Sequence, residues 1–262
     1  MITSTSNAKV KWLQSLQKKS KVRREEKLFI IEGTRFFQDT DPERIQEIYV
    51  AESAQEGLEA LLEHRKYQVM SDAVFASVCD TKTPQGILAV GRQPENSLSE
   101  MLAGEHPLLL ILEDLQDPGN LGTIVRTAEG AGVDGIILTP NCVDIYNPKV
   151  VRSTMGAIYR MPFLYLEGEA ELDKLLAELR QKHIQTYAAA LTEAKDYDQY
   201  PYTEGTAFLI GNEGNGLKEK TISQCDHCVK IPMCGQLESL NAAVAAAILM
   251  YEGFRQRRFQ GN

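Results

Sequence analysis

The sequence predicts an α/β protein of two domains, and three observations predict it. Short apolar runs alternate with amphipathic, helix-like stretches along almost the whole chain, the pattern of strands and their covering helices. The composition breaks once, over 91 to 107, where GRQPENSLSEMLAGEHP is polar and carries two prolines and two glycines. Beyond the break the runs become fully apolar, as in LLLIL at 108 to 112, which fits strands buried on both faces of a mostly parallel sheet. The expected organisation is a smaller α/β domain over 1 to 93, a linker over 94 to 106 and a larger α/β domain over 107 to 262.

The elements follow from local pattern. From Ser6 to about Ser20, Val10, Leu13 and Leu16 recur at helical spacing with Trp12 beside them, so a short basic amphipathic helix opens the chain. Strands are expected at 28 to 33, 45 to 51, 67 to 70 and 86 to 92, with helices at 34 to 40, 53 to 64 and 71 to 78, a compact three-layer unit. In the second half, strands are expected at 108 to 113, 135 to 139, 162 to 166, 185 to 191, 206 to 211 and 228 to 232. Helices are expected at 119 to 130, 148 to 156, 169 to 182, 217 to 223 and 239 to 258. Ser239 is the expected N-cap of the last helix, whose Leu240, Val244, Ile248 and Tyr251 form an apolar stripe. Its alanines, 242 to 247 with Val244 between, let another helix or a second copy of the chain pack closely, which points to a dimer.

Composition narrows the class. With 43% apolar and 24% charged residues, the chain has the balance of a soluble globular protein. Its most apolar stretch, 240 to 251, is too short to span a bilayer, and the N-terminus lacks a signal-peptide core, so no membrane partner and a cytoplasmic location are expected. Five irregularly spaced cysteines argue for free thiols. Cys225 and Cys228 have a spacing that zinc uses, but no second pair completes such a site, so no metal is expected.

A net charge of −8 argues against a nucleic-acid partner until its distribution is considered. Residues 1 to 28 hold eight basic residues, among them Lys9, Lys11, Arg23 and Arg24, against two acidic ones. Such an arm on an acidic body suits phosphate contacts, although a solvated helix face accounts for it equally well. Arg255, Arg257 and Arg258 form a smaller basic patch with the same two readings.

Three segments join a strand-like run to a Gly- or Ser-bearing turn and a helix-like run: 113 to 132, 208 to 217 and 231 to 249. Ligands of open α/β sheets bind at that end of the strands. In the first, DPGNLG brings Asn120 to the mouth of a helix, and Arg126 follows within roughly 120° of it around the helix axis. Arg126 is otherwise a surface residue or a partner for Glu129 or a carboxylate elsewhere. In FLIGNEGNGL, three glycines within six residues flank Glu213 and let the backbone approach a ligand, where a plain turn needs fewer. A GxGxxG at Gly130, Gly132 and Gly135 is not a dinucleotide fingerprint, because it ends a helix and leads into a strand; helix termination is its expected job.

These three segments, in this order and spacing, resemble the three motifs of the SpoU (TrmH-type) RNA 2'-O-ribose methyltransferases of the SPOUT class. The likeness covers about residues 108 to 255, including NPKVVRSTMGAIYRMPF between the first two motifs. FIIEGTRFFQD and TKTPQGILAVGR in the first domain resemble, more loosely, an L30e-like substrate-binding domain.

The resemblance implies a deep trefoil knot in the larger domain, S-adenosylmethionine as cofactor, and an obligate homodimer with each active site near the subunit interface. It places Gly211, Ile231 and Leu240, with Leu209 and Met233 nearby, around the cofactor, and Arg126, Asn120, Glu213, Ser239 and Asn241 in the catalytic set. Arg126 is expected to position the 2'-hydroxyl, since a guanidinium serves as a base only where a neighbouring positive charge such as the sulfonium depresses its pKa. Arg152 is a candidate phosphate clamp, with a structural salt bridge as the alternative. The substrate is RNA, ribosomal in preference to transfer RNA. The rival reading is an inactive knotted cofactor-binding protein that serves as an RNA-binding or assembly factor; a nicotinamide oxidoreductase fails on its misplaced glycines.

Overall fold

The computed structural model describes residues 1–237 and 239–258; Glu238 and the last four residues of the larger expected domain lie outside the described residues. The chain divides into two compact units, Met1–Glu95 with Tyr146–Gly156, and Asn96–Ile145 with the segment from Ala157 onward.

The first unit runs α1 (Ala8–Lys18), α2 (Ser20–Glu26), β1 (Leu28–Glu32), α3 (Thr34–Asp39), β2 (Ile45–Ala51), α4 (Glu59–Leu62), β3 (Gln68–Met70), α5 (Asp72–Val78) and β4 (Ile87–Arg92). The sheet order is β1-β4-β2-β3, with β4 antiparallel to both neighbours and β2 parallel to β3. Asn7 caps α1 by accepting from the Lys9 amide, and the predicted face of Val10, Leu13 and Leu16 is fully buried. The single helix expected at 53 to 64 is instead a 3-10 turn, Glu52–Gly57, followed by the one-turn α4. Gly57 between them lowers helix propensity, and the Ser53 amide and hydroxyl are taken by the Asp72 side chain.

Two of the basic residues proposed for phosphate contact are committed inside this unit. Arg23 is buried, and its guanidinium donates to the carbonyls of Leu16 and Gln17 at 2.6 and 2.9 Å. It satisfies the free carbonyls at the end of α1, which a count of charges does not reveal. Lys9 Nζ sits 2.6 Å from Glu47 Oε1 and over the Trp12 ring. Lys11 and Arg24 remain exposed.

The second unit adds α6 (Leu98–Met101), β5 (Leu108–Leu112), α7 (Pro118–Gly130), β6 (Gly135–Leu138), β7 (Phe163–Tyr165), α9 (Glu169–Gln181), β8 (Gln185–Ala189), β9 (Lys195–Asp196), β10 (Thr206–Ile210), α10 (Glu219–Gln224), β11 (His227–Lys230) and α11 (Ala242–Arg258). The intervening α8 (Pro148–Ser153) belongs by its contacts to the first unit. All pairings of the second sheet are parallel, in the order β7-β6-β5-β10-β8-β11-β9. Every residue of β5 and β10 is buried, as the unbroken apolar runs require; each such aliphatic side chain contributes about 1.5–3 kcal/mol.

Two expectations about this unit change. The stretch read as a linker carries α6, closed by a capping box between Ser97 and Glu100, and drives Met101 into the core against Leu109, Ile111 and Ile137. The last helix starts at Ala242, and its cap is Asn241, whose Oδ1 accepts from the amides of Ala243 and Val244; Ser239 is not the cap. Ala242, Ala243, Ala246, Leu249 and Met250 form the buried face of α11, which packs on α7 and β10. The stripe of Val244, Ile248 and Tyr251 lies away from that face, with Val244 48% and Tyr251 47% exposed.

Of the smaller basic patch, Arg255 pairs with Glu252, and Arg257 donates to the carbonyls of Tyr202, His106 and Glu204. Gly130 and Gly132 do end α7, with Gly132 at φ +69°. No described helix is long and apolar enough to cross a membrane.

Candidate cofactor cavity and its catalytic rim

The carboxyl ends of β8, β10 and β11 open into a cavity of about 400 Å³. Three loops enclose it: Ala190 to Thr192 after β8, Gly211 to Leu217 after β10, and Ile231 to Leu240 after β11, which supplies Ile231, Met233, Ser239 and Leu240. Ala242, Ala245 and Leu249 of α11 form a further wall. A lining that mixes apolar residues with Asn212, Glu213, Asn215 and Ser239 suits a ligand of mixed character.

The loop after β10 is closed on itself. Asn212 and Gly216 exchange two backbone hydrogen bonds of 3.0 and 2.9 Å, and Asn212 Oδ1 accepts from the amides of Gly214 and Asn215. Gly216 takes φ +67°. A Cβ on Gly211 would come within 2.0 Å of the Gly216 carbonyl carbon and 2.2 Å of the Leu217 nitrogen, so only glycine permits this closure.

Glu213 projects from this loop to the one that precedes α7. Its carboxyl accepts from the amides of Gln116 and Asp117 at 3.2 and 2.9 Å, and from Asn120 Nδ2 at 3.0 Å. Asn120 Oδ1 in turn accepts from Asn241 Nδ2 at 2.9 Å, while Asn241 Oδ1 caps α11. Each amide therefore has its orientation fixed by the next partner, and three loops are joined by one relay. Burial pushes the Glu213 carboxyl up, but the donors from Asn120, Asp117 and Gln116 outweigh it and hold it below its ordinary value.

The sequence-predicted residues separate by position. Gly211, Ile231, Leu240 and Met233 line the cavity, with Glu213 and Ser239. Leu209 does not: it is fully buried in the strand core, paired in register with Ile111 and Ala188. Asn120 and Asn241 reach the rim through the relay. Arg126 is exposed on α7 and makes no hydrogen bond or ion pair among the described residues. Its alternative partner, Glu129, is taken by Arg160 at 2.7 Å. Arg152 lies on α8 and pairs with Asp80 within the first unit. Cys225 and Cys228 are free thiols, and burial pushes Cys225 up to about 12.

Four residues escaped sequence reasoning. Asn212 folds the glycine loop, and its Nδ2 donates to the Asp114 carbonyl. Asp114, at φ +54°, accepts from Thr139 and pairs with Lys218. Burial pushes its carboxyl up, and the Lys218 and Thr139 donors bring it below the ordinary value. Glu113 is buried under Lys218. The signal for Asn212 was present in Asn-Glu-Gly, an Asx-turn pattern; the other three need tertiary contacts to be noticed.

Residues 107–251 match the SpoU rRNA Methylase family, and residues 7–89 match the MRM3-like substrate binding domain. The 23S rRNA (guanosine(2553)-2'-O)-methyltransferase RlmP of Bacillus subtilis is 36% identical over 252 residues, covering 95% of this chain and 97% of that protein. The 23S rRNA (uridine(2479)-2'-O)-methyltransferase of Streptomyces viridochromogenes is 33% identical over 178 residues, 67% of this chain and 62% of the relative. Among solved structures, the SpoU methyltransferase AviRb from Streptomyces viridochromogenes in complex with AdoMet superposes with a TM-score of 0.86 at 26% identity, covering 97% of this chain and 99% of that one. An AdoMet-bound rRNA methyltransferase from Sinorhizobium meliloti gives 0.81 at 27% identity, with 97% of each chain covered.

Proposed function

This chain belongs to the SpoU rRNA methylase family, and from that premise we propose that it methylates a ribose 2'-hydroxyl of RNA with S-adenosylmethionine, with ribosomal RNA favoured over transfer RNA. The observation that carries the reading is the cavity at the strand ends with its Glu213, Asn120 and Asn241 relay on the rim. The closure that only glycine permits at Gly211 holds the Gly211 to Leu217 loop, all of whose residues line the cavity, in one shape. Gly211, Ile231, Met233 and Leu240 hold the cofactor. When bound, S-adenosylmethionine supplies an activated methyl group on a sulfonium.

The chain's own residues have the task of presenting the acceptor. The relay fixes the turn that opens α7, so Asn120 keeps one orientation and the helix bearing Arg126 keeps one position. Arg126 donates to the 2'-oxygen or its adjacent phosphate and aligns it for in-line attack. Ser239 and Glu213, both on the cavity wall, complete the catalytic set.

We further read the larger unit as a trefoil knot, supported by the way the segment from Ile231 to Leu240 returns to the same cavity as the two earlier loops. The enzyme works as a homodimer: Arg126 is outside its own chain's cavity lining and unpaired among the described residues, while α11 presents an apolar stripe outward. Lys11, Arg24 and Arg152 contact RNA phosphates, Arg152 by leaving Asp80. A ribosomal RNA substrate puts the reaction in the cytoplasm.

The test is transfer of labelled methyl groups to ribosomal RNA lacking the modification, with site mapping. Arg126→Ala should lower transfer by about three orders of magnitude, as expected for loss of a group that aligns the reacting atoms, while calorimetric binding of S-adenosylmethionine stays within about threefold. Loss of both together assigns Arg126 a structural role.

A further inference from the structure

Two glutamates cross between the same pair of loops in opposite directions. Glu213 of the β10 loop takes the amides that precede α7. Glu113, the residue after β5, takes the amide of Lys218 at 2.8 Å through Oε2 and the hydroxyl of Thr221 at 2.6 Å through Oε1. Glu113 is only 2% exposed, and its amide extends the parallel ladder by donating to Ile210. Its two donors flank the cavity wall: Leu217, immediately before Lys218, and Ile222, immediately after Thr221, both line it.

We propose that Glu113 is a positioning residue: its buried carboxyl clamps the segment between the cavity-lining Leu217 and Ile222 to the loop that leads from β5 into α7 and Asn120, so that cofactor binding and acceptor alignment share one support. Asp114 strengthens the clamp from the next position, since its carboxyl holds Lys218 Nζ at 3.0 Å and its carbonyl accepts from Asn212 Nδ2 at 2.9 Å. Displacement of either loop therefore moves the other. The four contacts come from the consecutive Glu113 and Asp114 on one side and from Asn212 and Lys218 of the β10 loop and Thr221 of α10 on the other. A buried carboxyl with two donors on opposite oxygens is far less tolerant of drift than a single surface bond.

The inference rests on the S-adenosylmethionine reading of the cavity, and the experiment separates the two. Calorimetry on the full-length wild type comes first: absence of S-adenosylmethionine binding overturns both. Given wild-type binding, Glu113→Ala should weaken it about tenfold, equivalent to ~1.4 kcal/mol, and should lower kcat at saturating cofactor by about tenfold as well. Glu113→Gln should recover both to within about threefold, because its carbonyl accepts from Lys218 and the Thr221 hydroxyl can turn to accept from its amide.

Glu113→Gln combined with Thr221→Val removes that acceptor with little change of volume, so it should behave like Glu113→Ala even where the alanine variant does not fold. Variants that lower Tm but leave both cofactor affinity and saturated kcat within about twofold of wild type would make Glu113 a fold residue and overturn the proposal.

Discussion

At the scale of single residues, the site depends on hydrogen-bonding capacity more than on formal charge. Glu213 fastens two backbone amides and Asn120, and those donors hold its carboxyl below the ordinary value against the upward push of burial. A carboxyl depressed in the folded state stabilises it fully above the unfolded value, near 4.5, and that contribution is lost as pH falls through the depressed folded value. Unfolding of the wild type and of Glu213→Gln between pH 3 and 7 should therefore show the gap between them constant above about pH 5 and closing at lower pH. A gap that persists unchanged at about pH 3 would mean that the ionised carboxyl is not what the donors recognise.

At the scale of elements, what was legible depended on how local the cause was. The runs LLLIL and AFLI announced strands buried on both faces, and β5 and β10 are fully buried where expected. The composition of 94 to 106 predicts a linker and does not register the capping box of Ser97 and Glu100 that starts the one-turn α6. The stripe Val244, Ile248, Tyr251 was visible by period, yet period alone does not say which side of a helix meets the core; the small residues Ala243 and Ala246 won the inner face because α7 packs there. Arg23 and Lys9 looked available because charge patterning does not show buried carbonyls or a distant Glu47. Gly211 belongs to this scale too. Gly211→Ala drives a methyl into the main chain of Gly216 and Leu217, so the loop must open. Binding of S-adenosylmethionine should fall at least about tenfold, while Tm, set by the strand core, should drop by only a few degrees, roughly the effect of 1 kcal/mol.

At the scale of the whole molecule, the second unit buries its parallel sheet within one chain and still leaves an apolar helix face outside. Val244 and Tyr251 are about half exposed, about one turn and almost three turns along α11 from the Asn241 cap that ties this helix to Asn120. The same helix therefore has its start fixed by the Glu213, Asn120 and Asn241 relay and its outer face free of the fold. A homodimer built on that face would bury the stripe and bring a second copy's α7, with its unpaired Arg126, toward a site that its own chain's Arg126 does not line. Val244→Glu places a charge on the stripe, where dimerisation would have to desolvate it at a cost of several kcal/mol. The variant should sediment as a monomer at micromolar concentration and lose methyl transfer, while its far-UV circular dichroism stays that of the wild type. Mixing Arg126→Ala with Gly211→Ala, neither of which touches the stripe, supplies the decisive observation at a cofactor concentration that the Gly211→Ala pocket does not fill: if the arginine acts across the interface, heterodimers should regain transfer at one of their two sites, from the intact pocket of one chain and the arginine of the other, whereas no recovery, or a Val244→Glu monomer that remains fully active, would remove the dimer from the mechanism.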